Sequence, residues 1–193
     1  MIKFFLFVSK FGLELRSKKR KNMSKFISIL AIFCAVLFSG ELEFDTLQSD
    51  FTQSVKSQNK VISYHGYFLA DSKKAAFWNY EKPIKKLVYF SYENIVLIEP
   101  DLEQAFITKI SDVPNILQIL SNAKKIAADL YETEFDGIKY KIKVNNQLPA
   151  QIQYIDKFDN EVTISLKNTK KNQKINQNLL MPKIPENFDI IEN

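Results

Sequence analysis

The sequence predicts an α+β domain made mostly of short antiparallel strands, and three observations predict it. Residues 75–107 alternate side chains in short runs, with breaks at Pro83 and Pro100. Asp136-Gly137 sits between two alternating runs and is the strongest short hairpin signal in the chain. Two further stretches, 43–57 and 112–131, carry apolar residues at helical spacing.

The elements follow in order. Met23 opens a stretch with Lys25, an apolar run from Phe26 to Phe38 and the small residues Ser39-Gly40. Charged, apolar and small residues in that order are a secretory signal peptide. Residues 1–40 are read as a leader, with Met23 as the true start and 1–22 as an upstream extension. The alternative keeps Met1 and makes 1–40 one long leader. The apolar run is 13 residues, short of the roughly 20 that span a bilayer. Phe33 precedes Cys34, where lipidation needs a small residue. Residues 41–193 are expected to form a single domain.

Glu43 to Ser57 predicts a helix, because Phe44, Leu47, Phe51 and Val55 recur at three- or four-residue spacing. Val61 to Ala70 is a strand candidate in which Gly66 marks a bend or a close backbone approach. Trp78 and Tyr80 then share one strand face, and Leu87, Tyr89 and Ser91 follow with the same period. Lys73-Lys74, Lys82 and Lys85-Lys86 cluster at turns. They read as a solvated rim or as a docking patch for an acidic partner.

Between 112 and 131, Asp112 and Pro114 predict a helix start before Ile116, Leu117 and Leu120. Ser121-Asn122 interrupts it, and a second short helix or a strand follows. A short apolar helix there suits a lid over a cavity, and it suits an ordinary core equally well. Ile138, Tyr140, Ile142 and Val144 alternate with Lys139, Lys141 and Lys143, giving a sheet with one apolar and one wet face. Ile152–Ile155 and Val162–Leu166 continue it, 168–178 is a polar loop, and a last strand runs around Phe188–Ile191.

Composition excludes several functions. Of 27 basic and 22 acidic residues, eight basic and one acidic fall within 1–40, leaving 19 against 21, about −2. That remainder lacks the positive footprint of a nucleic-acid binder. Both arginines and the single cysteine, Cys34, lie in the leader, and His65 is the single histidine. No nucleophile–base pair, metal-ligand cluster or glycine-rich phosphate loop is present, so the sequence predicts no enzyme, no metal and no cofactor.

The order Phe51-Thr52-Gln53, Gly66, Trp78, Pro83, Pro100, Glu103-Gln104-Ala105, then Met181-Pro182 and Ile184 to Ile190, resembles the periplasmic outer-membrane lipoprotein carrier family, LolA. The resemblance runs from about Phe44 to the end. It implies a strongly curved antiparallel sheet, an incomplete β-barrel, with helices covering the concave face. It implies a monomeric periplasmic carrier that takes the acyl chains of lipoproteins from an inner-membrane ABC-type release complex towards the outer membrane and a possible acceptor there. A lipoprotein-sensing regulatory domain of the same fold is the alternative. On this reading Phe51, Phe68, Trp78, Tyr80, Leu87, Tyr89, Ile98 and Phe106 line the concavity, and Ile116, Leu117 and Leu120 form the lid. An arginine that latches the lid in many relatives has no counterpart at Asp71 to Lys74, and Ala76 stands where the family has phenylalanine.

Overall fold

A computed structural model describes residues 41–192 except 59, 74, 92 and 110–115. The leader and the Asp112/Pro114 helix start lie outside the described residues. The described residues form twelve strands: β1 (Thr46–Ser57), β2 (Lys60–Asp71), β3 (Ala75–Lys82), β4 (Lys86–Phe90), β5 (Asn94–Glu99), β6 (Gln104–Lys109), β7 (Lys124–Ala127), β8 (Leu130–Phe135), β9 (Ile138–Asn145), β10 (Leu148–Ile155), β11 (Glu161–Lys171) and β12 (Asp189–Glu192). One α-helix among them, α1 (Ile116–Ser121), precedes β7. The strands make a single sheet in the order β12-β6-β5-β4-β3-β2-β1-β11-β10-β9-β8-β7. All pairs are antiparallel except β12 on β6. The edges, β7 and β12, do not pair, so the sheet stays open.

Residues 46–57 correct the expected helix: they are a strand, β1. Leu47, Phe51 and Val55 are four apart, and an even spacing satisfies period two as well as a helical stripe. The buried residues Leu47, Ser49 and Phe51 alternate, which is the strand signature. Ser49 hides that pattern because it is polar. Its hydroxyl donates to the Lys167 carbonyl at 2.8 Å, which makes its burial tolerable. Helices covering one face are therefore reduced, among the described residues, to the six-residue α1. After Asn122 the chain takes the strand alternative, β7.

The two faces of the sheet carry separate cores. The inner-face core runs from Phe68, Trp78 and Phe51 through Leu166, Ile164, Ile152 and Ile142 to Tyr131, with α1 packed into it. On the outer face, Leu69, Phe77, Tyr89, Val96, Ile98 and Ala105 form a second cluster beneath Ile175 and Leu180. The segment after β11 thus covers the back of β2–β6. The back of β9 is wet, with Lys139, Lys141 and Lys143 exposed and Tyr140 and Ile142 buried on the other side.

Candidate functional site

The inner face is built around an aromatic row. Phe68 on β2 is directly opposite Trp78 on β3, and their rings stack at 4.7 Å. Phe51 on β1, Gly66 on β2 and Tyr80 on β3 lie side by side across three strands. Gly66 has no side chain to fill the middle place. The Phe51 and Tyr80 rings meet over it at 5.0 Å, edge to face. A β carbon on Gly66 would sit 1.8 Å from the Asn79 carbonyl oxygen, so the expected close backbone approach is present.

The sheet curls around this row. β3 and β10 are four strand spacings apart, roughly 19 Å in a flat sheet at about 4.8 Å per strand. Yet Trp78 and Tyr80 line the same cavity of about 170 Å³ as Ile152 and Tyr154 of β10, and Phe90 of β4 lines it together with Tyr140 of β9. Only a strongly curved sheet brings these strands round one small space, so the inner face is the concave one. Ile116 and Ile119 of α1 border the cavity. Leu117 and Leu120, 3% and 0% exposed, sink into the core beside it.

Strand register divides the eight residues expected on one face. Phe51, Phe68, Trp78 and Tyr80 lie together on the inner face. Phe106 faces the same side, opposite Leu97, and is half-buried. Leu87, Tyr89 and Ile98 belong to the outer face, where Phe77 and Tyr89 stack at 4.7 Å. The expectation of a single face fails for these three because Trp78 pairs with Val88 and Tyr80 with Lys86. Even-numbered residues of β3 thus share a face with even-numbered residues of β4. Gln53, Phe90, Ile119, Tyr140, Ile152, Tyr154 and Ile164 line the cavity beyond the expected set.

Polar groups in the cavity are uncharged. Tyr80 donates to Gln53 Oε1 at 2.9 Å. Burial, and then the neighbouring Tyr154 and Tyr64, push the Tyr80 pKa well up. Burial first, then Tyr140 and Asp156, push that of Tyr154 up to about 12. Both hydroxyls therefore keep their protons at neutral pH. Farther along, the Tyr131 hydroxyl donates to Glu41 Oε2, and Lys125 Nζ lies 3.0 Å from the same oxygen. The Tyr131 hydrogen bond first, then that of Lys125, hold the Glu41 carboxyl below its ordinary value. Among the described residues, no group of three or more His, Cys, Asp or Glu side chains is placed to hold a metal ion.

Comparison with known proteins gives a consistent result. Residues 43–136 match the family model described as outer membrane lipoprotein carrier protein LolA. An outer-membrane lipoprotein carrier protein of Campylobacter jejuni is 40% identical over 169 residues, covering 88% of this chain and 99% of its own. One of Helicobacter hepaticus is 27% identical over 172 residues, covering 88% of this chain and 96% of its own. Among solved structures, an uncharacterised conserved protein from Thermus thermophilus superposes with a TM-score of 0.50. It covers 86% of this chain and 99% of its own at 10% identity, a likeness of fold alone.

Proposed function

The chain belongs to the outer-membrane lipoprotein carrier family, LolA, and from that premise we propose that it carries acylated lipoproteins through the periplasm with their acyl chains in the curled inner face. The observation that carries this reading is the convergence of β3, β4, β9 and β10 on one aromatic cavity roofed by α1. Such a space suits hydrocarbon. Each methylene moved from water onto Trp78, Phe90 or Ile152 gains about 0.8 kcal/mol.

The direction of transport follows from the same reading. An inner-membrane ABC-type complex supplies the lipoprotein, and the outer membrane or an acceptor there receives it. Release requires the cavity to reopen, and α1 is the element placed to move, with Ile116 and Ile119 over the cavity and Leu117 and Leu120 as its anchor. A roof of modest stability lets a small difference in affinity switch between holding and releasing. Trp78 and Tyr80 serve as the lining, Phe51 and Phe68 pack against them, and Phe106 extends the same face onto β6. Leu87, Tyr89 and Ile98 support them from behind.

The test is mass spectrometry of the protein purified from the periplasmic fraction, paired with release of lipoproteins from spheroplasts. Co-purified triacylated or diacylated lipoprotein, together with release that depends on added protein, is expected. A protein that emerges free of lipid and leaves lipoproteins in the inner membrane would sink the reading.

A further inference from the structure

The cavity beneath α1 is not wholly apolar. Four strands bring polar side chains to it: Gln53 from β1, Tyr80 from β3, Tyr140 from β9 and Tyr154 from β10. Tyr80 holds the Gln53 amide by its oxygen at 2.9 Å. The NH2 end of that amide is then the end left to donate elsewhere. Neither the Gln53 NH2 nor the Tyr154 hydroxyl has a hydrogen-bond partner among the described residues. Among those same residues, the side-chain polar atom sealed from solvent without a partner is Asn94 Oδ1. The Gln53 and Tyr154 groups are therefore not sealed, and the cavity is the space they line.

The chemistry of what they face can be narrowed. Both groups offer donors, so the complement is an acceptor. Among the described residues, no lysine and no other charged side chain lines the cavity. A carboxylate or phosphate brought there would lose its water and meet no opposite charge, at high cost. The matching group is a neutral oxygen carried into an apolar space on a hydrocarbon chain. Acyl-ester carbonyls fit that description.

We propose that the Gln53 amide and the Tyr154 hydroxyl form a seat for the acyl-ester carbonyls of a diacylglyceryl group, at the point where the apolar chains begin. The proposal rests on the carrier reading and adds a chemical preference to it: the cavity recognises the ester linkage as well as hydrocarbon. Tyr80 is a positioning residue, since it acts through Gln53. Tyr140, packed on Tyr154 with ring centroids 4.9 Å apart, holds that ring in place.

Isothermal titration calorimetry with two synthetic lipopeptides tests this. They share peptide and chain length, and one carries a diacylglyceryl ester, the other the dialkyl ether that lacks carbonyls. A net hydrogen bond is a factor of about five in affinity, so two predict an ester-over-ether ratio of about 25. In Tyr154→Phe, which removes a single oxygen, the ratio should fall about fivefold, and adding Gln53→Leu should bring it near one. Circular dichroism establishes that the variants fold. Equal affinities for the intact protein, or an unchanged ratio in Tyr154→Phe, overturn the seat while leaving the carrier reading standing. Failure of both lipopeptides to bind removes both. A second pair, diester and diether phosphatidylglycerol, separates the sources of the ester. A ratio shared by both pairs assigns the seat to diacylglyceryl esters in general, and a ratio confined to the lipopeptides assigns it to lipoproteins.

Discussion

Leu117→Glu should empty the inner face of its roof while leaving the sheet folded. The helix has six residues, too few to be stable alone in water. Its four buried side chains, Ile116, Leu117, Ile119 and Leu120, each contribute about 2 kcal/mol, roughly 8 kcal/mol together. Ordering six residues costs about 1.5 kcal/mol each, roughly 9 kcal/mol. The helix is thus held near balance, with its internal hydrogen bonds supplying the small remainder. Leu117 is 3% exposed. Replacing it with glutamate removes about 2 kcal/mol of burial and adds about 1–3 kcal/mol for a carboxyl left without partners, even when protonated. That sum of about 3–5 kcal/mol exceeds any surplus the helix has. The sheet should survive, because its ladders run through eleven neighbouring strand pairs that do not include α1. The assay combines far-ultraviolet circular dichroism, Trp78 emission and lipoprotein release from spheroplasts. Native β signal, red-shifted emission and lost release are expected. Native release with unshifted emission would refute the lid. Loss of the β signal would show that α1 is ordinary core.

Gly66→Ala should destabilise the protein by about 2–3 kcal/mol or more, measured by urea unfolding, because the new β carbon meets backbone oxygen and the strands must part. A midpoint unchanged from the parent chain would show that the close approach at Gly66 is not real. Stability should also decline in alkali. Burial raises the Tyr154 pKa above its unfolded value of 10.0, so its contribution is complete below pH 10.0 and is lost as pH rises towards about 12. The loss is about 2–3 kcal/mol, and Tyr154→Phe should flatten that part of the pH–stability curve. At the acid end, the Glu41 carboxyl is held low, so its tie to Tyr131 and Lys125 persists above the ordinary carboxylate range and loosens as pH falls through the depressed value. Following the Glu41 carboxyl carbon by NMR across an acid titration should give a midpoint below the ordinary carboxylate range, and a midpoint at the ordinary value would contradict the tie.

The sequence carried the strands of the last third well, because the alternating lysines of β9 and the Asp136-Gly137 turn are local signals. It failed at β1, where an even spacing of large residues satisfied two periods and a buried serine stood where an apolar residue would have decided the matter. It also failed at the Pro83 turn, whose length sets which residues of β3 and β4 share a face. A slip of one residue exchanges the faces, and that is how Leu87, Tyr89 and Ile98 were expected beside Trp78. Tyr140 and Ile142 were legible as an apolar face. That this face bends round to meet Tyr80 was not, since curvature depends on twist summed over many strands and on the bulges at Gln48/Asp50, His65/Gly66 and Pro149/Gln151.

If acyl chains lie against the inner face, the single tryptophan of the chain reports their arrival. Trp78 lines the cavity and stacks on Phe68. Lipopeptides with bromine placed along the acyl chains quench tryptophan on contact. Saturable quenching of Trp78 by the acyl-brominated lipopeptide is expected, and none by an equally tight lipopeptide brominated on its peptide part. Binding of the acyl-brominated lipopeptide with Trp78 emission undiminished would place the lipid elsewhere and contradict the account.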